Sequence, residues 1–162
     1  MNRRKFIGAA AATAAVISTS NRRTAMAQAT KPGTKAARKK SKVLTDTAPK
    51  PVGPYSQAII AGNTIYVAGQ GPMNPKTGKI EVTGIEEQAK QTFENIKAIV
   101  EAAGSSMANV VKVNVYLADL KDFSKMNEIY RQYFPADYPA RATIGAQLLL
   151  GMLIEVECIA VK

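Results

Sequence analysis

The side chains available for chemistry are few. The sequence has no histidine and a single cysteine, Cys158, so the usual zinc ligand sets, imidazole acid–base catalysis and any Ser-His-Asp or Cys-His pairing are removed. What remains is arginine, glutamate, tyrosine, backbone amides and water. Cys158 has no partner for an internal disulfide and suits core packing. Three segments concentrate the remaining types: Gly53-Pro54-Tyr55-Ser56-Gln57-Ala58, then Tyr138-Pro139-Ala140-Arg141-Ala142-Thr143, and at the end Ile154-Glu155-Val156-Glu157-Cys158-Ile159-Ala160-Val161. Residue type alone leaves each open. Arg141 suits an anion or a surface ion pair, Tyr55 a pocket wall or a turn packing on a sheet, and Glu155 proton chemistry or a salt bridge across an interface.

The elements that must position these residues follow from periodicity. Ala58-Ile59-Ile60 and Thr64-Ile65-Tyr66-Val67-Ala68 flank Ala61-Gly62-Asn63, the turn chemistry of a β-hairpin. Asn74-Pro75-Lys76-Thr77-Gly78 is a second turn. Thr83 with Glu86 three residues on reads as a capping box, and Gly104 as the stop of the helix between them. Ile85, Ala89, Phe93, Ile96, Val100 and Ala103 form its apolar stripe. Val111, Val113, Val115 and Leu117 alternate with polar neighbours as a strand does. A second helix is expected from about Leu120 to Phe134, with Phe123, Met126, Ile129, Tyr130 and Tyr133 on its apolar side. Strands over Ala142–Gln147 and Leu153–Val161 complete a β-β-α-β-α-β-β order, an α+β sheet with both helices on one face. The last strand is apolar on both sides. Ile154, Val156, Cys158 and Ala160 face one way, while Leu153, Glu155, Glu157, Ile159 and Val161 face the other, with no third helix to cover them. Self-association is the economical answer, and the two glutamates would then be partly desolvated, where a carboxylate needs a cation or a catalytic reason.

The net charge of +10 points at first to nucleic acid, but its distribution does not. Eleven basic and no acidic residues lie in positions 1–42, whereas from Val43 onward 11 basic residues face 12 acidic ones. Asn2-Arg3-Arg4-Lys5-Phe6-Ile7-Gly8 followed by the Ala-rich run Ala9 to Ile17 resembles a twin-arginine export signal. The run is too short for a bilayer, which needs about 20 apolar residues. Cleavage is expected after Ala27 or Ala29. Residues 1–29 are therefore expected to be a signal peptide, 30–43 a basic disordered linker, and 44–162 one domain working in the periplasm or otherwise exported, touching a membrane only during export.

Those three segments, with Ala68-Gly69-Gln70-Gly71-Pro72-Met73-Asn74-Pro75-Lys76-Thr77-Gly78 and the Glu-Gln-Ala and Glu-Asn-Ile helix turns, resemble the Rid family, also called YjgF or L-PSP, over residues 50 to 162. The resemblance implies a chorismate-mutase-like fold, a homotrimer with sites between subunits, and hydrolysis of 2-imino or enamine acids such as 2-aminoacrylate and 2-iminobutanoate to 2-keto acids and ammonia, with no metal or cofactor. It also implies roles. Arg141 would hold the substrate carboxylate through its bidentate fork, and Glu155 would position or activate the attacking water. Tyr55 would close the pocket, Gly69 and Thr143 would offer backbone groups, and Asn127 would support the site. Glu157 suits a structural pair.

Two departures qualify the resemblance. Thr143 stands where many imine-hydrolysing members have cysteine, which argues against thiol chemistry. The loop Leu148-Leu149-Leu150-Gly151-Met152 replaces a Leu-Pro pattern and is one residue shorter, which predicts a narrower, greasier pocket. The competing functions are a non-catalytic trimeric module that binds small carboxylate metabolites or acts as a chaperone, and an endoribonuclease. The near-neutral domain and the lack of histidine disfavour the latter, and no nucleic-acid partner is expected.

Overall fold

A computed structural model describes residues 40–162; the signal peptide expected over residues 1–29 and most of the linker expected over 30–43 lie outside the described residues. Six strands and two helices follow in the order β1 (Lys40–Val43), β2 (Ala58–Ala61), β3 (Thr64–Gln70), α1 (Gly84–Ala102), β4 (Val110–Leu117), α2 (Phe123–Tyr133), β5 (Ala140–Gly145) and β6 (Ile154–Val161). They form one mixed sheet, ordered β1-β2-β3-β6-β4-β5, in which only β4 and β5 run parallel. The fold is the α+β fold expected.

The hairpin forms as its turn chemistry dictates: Ala61 pairs with Thr64, leaving Gly62 and Asn63 as the loop, with Gly62 at a φ of 64°. Gly104 ends α1 at a φ of 82°, with Gly104 N–H donating to the Glu101 carbonyl and Ser105 N–H to that of Val100, the paired bonds of a Schellman cap. All six residues of the predicted α1 stripe are buried.

Four expectations need correction. Residues 40–43, read as the end of a disordered linker, pair with Ala58–Ala61 as β1; Val43 is buried, and two alternating lysines suit an exposed edge strand. The capping box at Thr83 does not close. Gly84 enters the helix through left-handed backbone (φ 74°), Thr83 makes no side-chain cap bond, its N–H donates to Glu87 Oε2 at 3.4 Å, and Glu86 instead reaches Lys125 of α2 at 3.2 Å. The second helix begins as a 3-10 turn over Leu120–Asp122, capped by Asp119, and its first α residue, Phe123, is 42% exposed rather than part of the core. A bulge between Val110 and Lys112 shifts the phase of β4, so that Val110 is buried and Val111 exposed.

Two-faced burial on β6 is as predicted within the strand, whereas Leu153, expected on the open face, precedes the strand and packs against the helix-side core. Ile154, Val156, Cys158 and Ala160 are buried in the same core as α1 and α2, while Glu155, Glu157 and Ile159 are half-buried on the opposite side and Val161 is exposed. A one-residue slip would drive both glutamates into that core, so the register of β6 is strongly fixed. Parallel pairing of β4 and β5 needs a long crossover, and α2 supplies it. That crossover is what brings the face of α2 to the start of β5, where Arg141 lies.

Candidate functional site

Side chains of paired residues in a sheet share a face. Val113 pairs with Arg141 and Val115 with Thr143, and both valines are buried beneath the helices, so Arg141 and Thr143 lie on the helix side. The guanidinium of Arg141 rests over two rings of α2, 4.5 Å from the centroid of Tyr130 and 5.6 Å from that of Phe123. Such stacking holds a planar cation without neutralising it. Among the described residues Arg141 makes no ion pair. It opens into a cavity of about 310 Å³ shared with Asn127, Tyr130, Arg131, Tyr138 and Pro139, a lining with two cations and no acid. Tyr130 Oη, in that lining, and Thr143 Oγ1, two residues along β5 from Arg141, are buried without a hydrogen-bond partner among the described residues. Burial pushes the Tyr130 phenol up to about 12, with Arg141 acting in the opposite direction.

Glu155 pairs with Tyr116 and Glu157 with Asn114 on the side away from the helices. Glu157 Oε1 accepts from Asn114 Nδ2 at 2.8 Å and from Tyr116 Oη at 2.9 Å. It is the structural partner expected of it, although to an amide and a phenol rather than to a cation. That bond is also the main reason the Tyr116 phenol is raised. Glu155 has no such partner among the described residues. Burial, and then the neighbouring Glu157, hold its carboxyl above the usual carboxylate range.

The carboxylate of Glu155 lies directly on Gly69: a Cβ at that position would overlap Glu155 Oε1. The missing side chain of Gly69 thus leaves the room in which the Glu155 carboxylate lies. Tyr55 lines the same cavity, of about 280 Å³, along with Met73, Leu149, Leu150 and Met152. Its Oη accepts from the Val52 N–H at 3.3 Å, which folds the Gly53-Pro54 loop back on itself.

Buried polar groups tie these loops to the core. Gln57 accepts from the Thr45 N–H at 2.7 Å and its amide NH2 group faces the carbonyls of Thr45, Ala48 and Pro49, fixing the segment that leads to Tyr55. Asn95 of α1 donates to the carbonyls of Gly71 and Met73, both at 2.9 Å, and Gln88 Oε1 accepts from the Leu153 N–H at 2.9 Å. The Glu-Gln-Ala and Glu-Asn-Ile turns thus carry the two side chains by which α1 holds both rims of the Glu155 cavity.

The predicted residues consequently fall into two groups. Tyr55, Gly69 and Glu155 come together on one face of the sheet, and Asn127, Arg141 and Thr143 on the other. One chain does not unite them. Phe123, Tyr130 and Tyr138, which surround Arg141, read in the sequence as ordinary core or turn aromatics. The signal that singles out Phe123 and Tyr130 is their helical spacing one turn either side of Asn127, which becomes meaningful only once β5 is known to lie beneath α2.

A family model described as Endoribonuclease L-PSP matches residues 45–162, nearly all of the described part. The chain belongs to the L-PSP, or Rid, family. Among relatives of this Rid-family chain, a RutC family protein of Pyrococcus abyssi is 55% identical over 124 residues, spanning 76% of this chain and 98% of that protein. The human 2-iminobutanoate/2-iminopropanoate deaminase is 46% identical over 121 residues, 74% of this chain and 88% of that one. The crystal structure of RidA from the Antarctic bacterium Psychrobacter superposes with a TM-score of 0.73 at 46% identity, covering 75% of this chain and 99% of that one. The crystal structure of E. coli TdcF with bound serine does so with a TM-score of 0.72 at 38% identity, over 75% and 98%. Rid-family membership accounts for the sheet order.

Proposed function

We propose that the protein is a cofactor-independent deaminase that hydrolyses reactive 2-imino acids, and the enamines that tautomerise to them, to 2-keto acids and ammonia. The observation that carries this is the division of the two charged groups: Arg141, boxed by aromatic rings, and Glu155, half-buried, both without an ionic partner among the described residues, open on opposite faces of one sheet. Association of the uncovered faces into a homotrimer would set the Arg141 cavity of one subunit against the Glu155 cavity of the next. Each charge then finds its complement in a substrate between them. Relatives named 2-iminobutanoate/2-iminopropanoate deaminase at 42% to 46% identity support this chemistry, and the serine held by TdcF supports a ligand with an amino-acid-like carboxylate.

In this scheme Arg141 binds the substrate carboxylate with its two parallel N–H donors. Glu155 takes a proton from water as the oxygen bonds to the imine carbon, which gives a carbinolamine. It returns that proton to nitrogen, and as the C–N bond breaks the carbinolamine hydroxyl gives its proton to Glu155, which releases ammonia and leaves the keto acid. An imine is already electrophilic, so positioning and one proton shuttle suffice. A carboxyl raised above its ordinary value is the better shuttle at neutral pH.

The test is release of 2-ketobutyrate and ammonia from 2-iminobutanoate generated in situ by a dehydratase. The protein should accelerate it, and Arg141→Ala should remove the acceleration. An unchanged rate in either comparison would falsify the assignment and leave a carboxylate-binding module, the reading that the serine-bound TdcF structure favours. The proposal includes export through the Arg3-Arg4 signal, checked by replacing both with lysine and finding the unprocessed chain retained in the cytoplasm.

A further inference from the structure

Given the deaminase activity proposed for this cleft, we infer that the cavity beside Glu155 is a side-chain subsite that selects 2-imino acids bearing branched, thioether or aromatic side chains over the smallest ones. Its walls are hydrocarbon and thioether, from Val52, Met73, Leu149, Leu150 and Met152, and its one charged group is Glu155. Leu149 is 74% exposed and Leu150 70% exposed, a large apolar surface for one turn to show to water. Leu150 also sits at a φ of 55°, left-handed backbone that an L residue with a side chain adopts at a cost.

The turn is nevertheless firmly built. Met152 N–H donates to the Leu149 carbonyl at 3.1 Å, Leu153 N–H donates to Gln88 Oε1 of the core helix, and Met152 Sδ packs where a Cβ on Gly71 would have to be. Two leucines are thus presented at the rim of a cleft by an anchored, strained turn. An apolar protein side chain filling this cleft would leave the Glu155 carboxylate without the donor it lacks. A protonated imino acid brings both complements: an iminium N–H for Glu155 and a side chain for the leucine and methionine walls. In a cavity of about 280 Å³ a methyl group, close to one water in size at about 30 Å³, leaves most of the wall unfilled.

The experiment uses the full-length chain and four imines made in situ by an L-amino acid oxidase with catalase, from leucine, methionine, phenylalanine and alanine, with semicarbazide trapping as the clock. The expected result is a kcat/KM at least about tenfold higher for the leucine-derived than for the alanine-derived imine, the discrimination a few buried methylenes supply. The Leu149→Ala and Leu150→Gly changes together should reduce that ratio by about tenfold, with glycine keeping the left-handed backbone at position 150. An alanine-derived imine hydrolysed as fast as the others overturns the subsite and leaves the deaminase standing. So does a ratio unmoved by the double change. Acceleration of none of the four removes the deaminase itself. The wild-type comparison decides the matter even where the double variant fails to fold.

Discussion

The two faces of the sheet solve the same problem in different ways. On the helix side, Arg141 is stacked against Tyr130 and Phe123, so its orientation is set within one chain by rings that α2 carries across the β4–β5 crossover. On the open side, Glu155 is held by an absence, the missing Cβ of Gly69, and by loops that Asn95 and Gln88 pin to the core. The cation is oriented but not neutralised, and the carboxylate is placed but only partly solvated. Each half is structurally finished and chemically incomplete, which is what a site shared between two copies of a chain requires.

The sharpest way to break that comparison is to separate the halves genetically. Arg141→Ala and Glu155→Ala should each reduce kcat/KM by about 10³-fold, the scale of losing a charge-assisted binding or proton-transfer group. In a cyclic trimer whose sites each take Arg141 from one subunit and Glu155 from the next, random mixing of the two inactive variants leaves about one site in four with both residues. Co-refolding them should therefore restore about a quarter of wild-type activity. No recovery in verified mixed trimers would show that both residues act within one chain, against the geometry of the sheet.

A smaller effect probes the open face alone. Gly69→Ala places a methyl where Glu155 Oε1 lies, so the carboxylate must move. Activity should fall by about 10²-fold, in keeping with a displacement of about 1 Å at a reacting group, while binding of an unreactive 2-keto acid through Arg141 is retained. Equal loss of binding would place Gly69 in the fold rather than in the site.

Asn95→Ala removes one side chain that satisfies two buried carbonyls, those of Gly71 and Met73. It should cost about 1–3 kcal/mol in denaturant unfolding and lower activity through the rim of the Glu155 cavity, with the Arg141 side unaffected. This tether also marks how far the sequence could be read. The α1 stripe, the Gly62-Asn63 and Gly104 turns and the two-faced β6 were legible because period and turn chemistry are local. The edge strand β1 was not, because Lys40-Ser41-Lys42-Val43 has the composition of a solvated tail and becomes a strand only through its pairing with β2. The bulge at Val111 and the open capping box at Thr83 depend on backbone geometry that residue type does not encode. For the site, Arg141, Glu155, Tyr55, Gly69, Asn127 and Thr143 were all singled out, but their division between two faces was hidden. It follows from the parallel β4–β5 register, a non-local pairing that no local pattern states.

The smallest effect reads the contact between the halves directly. In the folded chain burial and Glu157 raise the Glu155 carboxyl, so the folded state holds that proton more tightly than the unfolded one. The stability this gives is fully present below the unfolded carboxyl value of about 4.3 and is lost as pH rises through the folded value. Glu155→Gln mimics the protonated form at every pH. In an Arg141→Ala background, where no guanidinium can reach the carboxylate from a neighbouring subunit, the glutamine variant should melt higher than its parent at neutral pH, with the difference vanishing toward acid pH. With Arg141 present the gain should shrink or reverse, because a cation across the interface favours the ionised carboxylate that glutamine lacks. Thermal melts of the four proteins at neutral and acidic pH measure this coupling, and an identical gain in both backgrounds would mean that the two charged groups never meet.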